Sequence, residues 1–156
     1  MKRVTHLMVA SALLCLQPTL QAAPTPLPDL RLIDAMAPAT PSGADSAIVY
    51  LSVHNVGGRV DRLLDGQTPR AAHVRFYDLR RGPPGVVVDQ GLDVPVGGSV
   101  DFVSTGMQLR LEGLSRALKT GEHFTLTLRF RDAGALSTEV QVGPAERRPG
   151  AAAAQH

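Results

Sequence analysis

Apolar and polar positions alternate with a period of two in several short stretches of this chain, the spacing of a strand whose successive side chains point to opposite faces. Residues 123–131 alternate most cleanly, with Phe124, Leu126, Leu128 and Phe130 inward and Thr125, Thr127, Arg129 and Arg131 outward. Residues 47–55 set Val49, Leu51 and Val53 against Tyr50, Ser52 and His54, and stop at Gly57 and Gly58. Residues 73–79 set Val74 and Phe76 against Arg75, Tyr77 and Leu79, and residues 107–114 set Met107, Leu109 and Leu111 against Gln108 and Arg110. Shorter runs at 30–35, 86–88, 92–94, 99–103 and 136–142 complete the set. Turn residues separate them at 38–43, 80–85, 95–98, 119–122 and 132–134.

Seven to nine short strands, with no amphipathic helix longer than a turn or two, predict an all-β domain: an antiparallel sandwich with Greek-key connections over residues 30–143. At 156 residues the chain is long enough for one domain with a working core. Aromatic residues are 4% and Trp is absent, so that core has to be aliphatic. Asp61, Arg62 and Leu63 and the glycine turns are read as fold determinants. Residues 144–156 are rich in Pro, Gly and Ala with no apolar period, and a disordered tail is expected there.

The first residues belong to a different class. Lys2 and Arg3 precede an apolar run at 7–16, the pattern of a secretory signal peptide over residues 1–22, with cleavage after Ala22. The run falls short of the roughly 20 apolar residues that span a bilayer. Residues 23–29 carry Pro24, Pro26 and Pro28 and read as a tether. The single cysteine, Cys15, lies in the leader behind Leu14, which is too large for the small residue that bacterial lipoprotein processing prefers. No membrane anchor is therefore expected after cleavage, and the mature protein is placed in the periplasm. Without cysteine, an exported domain has neither disulfides nor thiolates, and a soft metal would fall to Met and His.

Loss of Lys2 and Arg3 leaves 14 basic residues against 14 acidic ones. That balance supplies no field for phosphates, and the few aromatics supply little stacking surface, so nucleic acid is not an expected partner. Ser52, Ser99 and Ser115 lack a glycine-flanked nucleophile context, and neither an HExxH motif nor a phosphate-cradling glycine loop occurs. The chain does not read as an enzyme.

Over residues 32–142 the wording of the strands resembles the periplasmic copper chaperone family PCu(A)C, a cupredoxin-like sandwich that carries Cu(I). The resemblance rests on Ile33, Asp34 and Ala35 with the loop Ala39, Thr40, Pro41; on Val49, Tyr50 and Leu51; and on Asn55 with Gly57 and Gly58. It continues through Asp61, Arg62 and Leu63, the turn Pro95 to Gly97 and Gly98, Gly113 with Leu114, Leu118 with Lys119 and Gly121, and Leu126 to Phe130 leading to Gly134. In that family, two His-x-Met pairs and a Met on a hairpin return hold the metal. Cu(I) is soft and takes thioether and imidazole ligands, and positions i and i+2 share one strand face.

The resemblance puts the first pair at Tyr77 and Leu79 and the second at Gln108 and Arg110, and no Met occurs between Met36 and Met107. A protonated phenol is a poor Cu(I) ligand, Leu has no donor atom, Gln is a hard donor, and guanidinium has no lone pair and adds a positive charge. The reading is a family member with substituted ligand positions: no metal, no cofactor, and a role in binding or interaction. A periplasmic protein of copper or oxidase assembly is the partner that the resemblance implies. The alternative is a working periplasmic Cu(I) chaperone that delivers copper toward a respiratory oxidase through non-standard ligands. His54, His73, His123 and Met36 read as ordinary strand residues, Met107 as core and His156 as a terminal passenger. Tyr77, Gln108 and Arg110 either form a polar cluster, with Arg110 stacked on Tyr77 or paired with Asp78, or stand separately in solvent.

The leader reading predicts that the exported protein begins near Ala23 and carries no acyl mass. Intact-mass spectrometry of the secreted form checks it, and an acylated chain beginning at Cys15 would overturn it.

Overall fold

The computed structural model describes residues 29–102 and 104–145. The expected leader, most of the tether and the tail from residue 146 lie outside the described residues. Ten strands follow in order: β1 (Leu30–Pro38), β2 (Ser46–Asn55), β3 (Asp61–Gln67), β4 (Ala71–Asp78), β5 (Val86–Val87), β6 (Leu92–Val94), β7 (Ser99–Asp101), β8 (Met107–Leu114), β9 (His123–Phe130) and β10 (Ala135–Gly143). A 3-10 turn, Leu79–Arg81, follows β4.

The sheet order is β5-β4-β8-β2-β1-β10-β9-β3-β6, with β7 on β2. β2 is the seam. Its first residues pair with β8, from Ser46 opposite Glu112 to Val49 opposite Leu109, and its last pair with β7, from Ser52 opposite Asp101 to His54 opposite Ser99. Its other edge carries β1. The sheet curls until β3 meets β4, where Gly66 allows the approach: a Cβ there would fall 2.9 Å from Val74 Cγ1.

The expected sandwich is present and its core is mainly aliphatic, with Val49, Leu51, Val53, Leu63, Leu109, Leu111, Leu126, Leu128 and Val140 excluded from solvent, but Phe76, Phe102, Phe124 and Phe130 are buried in it too. One pairing departs from the antiparallel rule: β1 runs parallel to β10, with Met36 opposite Gln141 and Pro38 opposite Gly143. First and last strands can pair in parallel because the whole domain is the crossover between them. The sequence pattern missed β3. Its Asp61 is buried and its register with β9 shifts between Leu63 and Asp65, so apolar alternation never develops.

Two buried polar side chains fix the loops. Asn55 donates from Nδ2 to the carbonyls of Arg59 (2.7 Å) and Val94 (3.1 Å) and accepts from Gly57 N–H (2.9 Å), which anchors the β2–β3 loop to β6. The Asp61 carboxylate accepts backbone N–H bonds from Arg62 (2.6 Å), Asp132 (3.0 Å) and Ala133 (2.8 Å), and so ties the start of β3 to the β9–β10 turn. Charged acceptors with several amide donors are strong, and their removal strands those donors. Asp61→Ala is expected to cost about 3 kcal/mol, with Asp61→Asn recovering part of it. Urea denaturation of the three proteins measures the difference.

Candidate ligand face on strands β4 and β8

Burial of Phe76, Leu109 and Leu111 decides what this face shows. Val74 lies opposite Leu111 and Phe76 opposite Leu109, both pairs turned toward the core. The intervening pairs, Tyr77 opposite Gln108, Arg75 opposite Arg110 and His73 opposite Glu112, must then share the outer side. Three of the four positions named from the sequence therefore meet on one surface.

They form one connected cluster. The Arg110 guanidinium carbon lies 4.2 Å from the centre of the Tyr77 ring, and Arg110 Nη2 donates to Gln108 Oε1 at 2.6 Å. Of the arrangements that the sequence left open, the one present is Arg110 over Tyr77. Tyr77 Oη donates to Glu112 Oε1 at 2.5 Å, a charge-assisted bond. The Glu112 bond, followed by burial and the carboxylate's field, raises the Tyr77 pKa above the usual tyrosine value, while Arg110 and Arg75 act against that rise. The phenol is thus held protonated with its hydroxyl hydrogen committed to Glu112. Sequence reasoning missed Glu112. The signal was the same period continued by one step: 108, 110, 112.

Leu79, the fourth position, lies past the end of β4 in the 3-10 turn and is 37% exposed. It still borders Tyr77. Gly85, at φ +94, closes against both, since a Cβ there would sit 2.8 Å from Leu79 Cδ2 and 3.3 Å from Tyr77 Cβ. Asp78 does not pair with Arg110. Its register partner is Met107, on the opposite side of the strands from Tyr77. Its carboxylate caps the 3-10 turn, accepting from Arg80 N (3.0 Å), Nε (2.9 Å) and Nη2 (3.0 Å), with Arg81 Nε at 3.8 Å. The Arg80 side-chain bond holds the Asp78 pKa below the usual carboxylate value. Asp78, Arg80 and Met107 line a cleft of about 480 Å³ with residues 86–92.

The other candidate donors are scattered. His54 and His73 are exposed on β2 and β4; His123 Nδ1 meets Glu139 Oε1 at 2.8 Å across β9 and β10; Met36 is half-buried, and Met107 is 6% exposed in the core. His156 lies outside the described residues. Among the described residues, no group of three His, Cys, Asp or Glu side chains converges as a metal site.

These features define a cupredoxin-like sandwich. The copper-bound PCuAC domain of PmoF2 superposes with a TM-score of 0.65 at 22% identity, covering 74% of this chain and 93% of that one. The apo PCuAC domain of PmoF1 gives 0.64 at 18%, covering 74% and 94%. The solution structure of Cu(I)-DR1885 from Deinococcus radiodurans gives 0.62 at 25%, covering 78% and 82%. No curated protein matches the chain. Residues 30–142 match the family described as "Putative lipoprotein LpqE-like", and the chain belongs to this LpqE-like family, with the fold of PCuAC domains.

The Tyr77 hydroxyl sets a measurable pH dependence. With its folded pKa raised above the unfolded value of about 10, its contribution to stability is complete below that value and is lost as pH rises through the folded pKa. Alkaline phenolate absorbance should show one tyrosine titrating late, and Glu112→Gln should move that transition down. Tyr77→Phe should cost about 1 kcal/mol at neutral pH.

Proposed function

We propose that this protein is an exported member of the copper chaperone PCuAC lineage whose Cu(I) ligand positions, Tyr77, Leu79, Gln108 and Arg110, have been substituted, and that the domain works as a metal-free binding module. The observation that carries this reading is Arg110. Its guanidinium lies over the Tyr77 ring and is bonded to Gln108, so a cation stands among the donor set. A cation among those donors repels an incoming Cu(I) and offers no lone pair in return. The donors present do not fit a soft monovalent metal: a protonated phenol bonded to a carboxylate, an amide oxygen already accepting, and an aliphatic chain. The reading also includes export into the periplasm with no metal cofactor, no catalytic activity and a periplasmic protein as the partner.

The competing reading, Cu(I) carriage through non-standard ligands toward a respiratory oxidase, draws on the copper in the PmoF2 domain and in DR1885. The two separate on one titration. Anaerobic Cu(I) competition against a chelator should show weak binding by the wild type. The quadruple variant Tyr77→His, Leu79→Met, Gln108→His and Arg110→Met should gain tight binding, because 77 and 108 are opposed across β4 and β8 and 110 lies on the same face. Restoring Arg110 in that background should weaken binding at least tenfold. Wild-type affinity equal to that of the quadruple variant would establish the chaperone reading instead, and a folded but inert quadruple variant would remove the inherited geometry.

A further inference from the structure

Arg75 and Arg110 stand directly opposite each other on β4 and β8. Like charges in that position destabilise a sheet. Neither guanidinium meets a carboxylate within salt-bridge distance among the described residues, although eight other ion pairs form there. Of the acids around them, Glu112 is committed to the Tyr77 hydroxyl and Asp65 to Arg129, while Asp89 shares a cleft with Arg75 without reaching salt-bridge distance. Arg110 is also oriented in advance, by the Tyr77 ring on one side and the Gln108 oxygen that takes one of its N–H donors.

We infer that the Arg75–Arg110 pair is a receptor for a carboxylate side chain of an acidic, extended segment of a partner protein. This inference rests on the metal-free reading of the same face and names what the face binds. A carboxylate between two guanidiniums accepts from both, turns a repulsive pair into an attractive one, and has the planar geometry that an Arg fork matches. The neighbouring surface favours a peptide over a small anion. Tyr77 and Leu79 flank Gly85 beside the clamp, and Val87, half-buried and opposite Tyr77, continues that margin at the sheet edge where β5 covers only the end of β4. Aromatic, aliphatic and Arg side chains together are the composition of protein contact surfaces.

The test uses the full mature chain at low ionic strength, with hexaglutamate as the peptide probe, inorganic phosphate as the small-anion probe and hexalysine as the control. Hexaglutamate is expected to shift the NMR signals of Arg75, Tyr77, Gln108 and Arg110, to bind more tightly than phosphate, and to weaken with added salt. Arg75→Gln, which leaves the Tyr77–Glu112 bond and the Arg110 stack in place, should weaken binding about tenfold while raising the melting temperature by about 1–3 °C. That opposite response of affinity and stability is not expected of a merely structural residue. Arg110→Lys keeps the charge but removes the fork, and should also weaken binding. Unchanged binding in Arg75→Gln, shifts confined to Arg80 and Arg81, or phosphate binding as tight as hexaglutamate would each overturn the inference. Cu(I) titration of the same samples is independent: tight Cu(I) binding would refute the metal-free reading whatever the peptide does.

Discussion

The geometry of the candidate face is a by-product of the core. A strand has only two sides, and once Leu109 and Leu111 are excluded from water, Gln108, Arg110 and Glu112 have nowhere to point but outward. β8 is registered on β2 through Val49 opposite Leu109, and β4 on β8 through Phe76 opposite Leu109, so Leu109 fixes two neighbours at once. A slip of one residue at either junction would bury an arginine and expose a leucine. The outward set is therefore held to its register by apolar burial, even though two of its members repel.

Much of this was legible along the chain. Residues 107–114 form the expected strand to the residue, and the inward set of β9, Phe124, Leu126, Leu128 and Phe130, is buried as the alternation requires. What escaped did so for physical reasons. β3 hides because it buries a carboxylate and bulges next to it, which erases the period. Leu79 appeared to share the β4 face by counting, but Arg80 and Arg81 reach back to Asp78 and wind the chain into a 3-10 turn, so its place beside Tyr77 comes from the hairpin return and not from the strand. The Tyr77–Glu112 bond crosses strands 35 residues apart, and no local pattern contains a cross-strand register.

The cluster also shows how an arginine can be costly in one account and useful in another. Opposite Arg75 it weakens the sheet; over Tyr77 it gains a cation–π contact worth about 0.5–1 kcal/mol at an exposed site. The tyrosine that receives it stays neutral through its bond to Glu112, which keeps the carboxylate charge beside the ring without letting it close onto the guanidinium. Each residue limits what its neighbour can do, and the free valence that results belongs to the arginines.

The parallel junction of β1 and β10 has a temporal side. Met36 and Gln141 are more than a hundred residues apart, and β1 depends on that late strand for one of its two edges. Contacts of such sequence separation come at the end of a search, and all-β domains built from them fold on a scale of milliseconds to seconds. A folding chain in which β10 has not yet docked therefore holds open strand edges on both sides of the gap where β10 will insert. Among the described strands β10 is the one that closes the sheet, so a chain without it would present those edges to any other strand in reach.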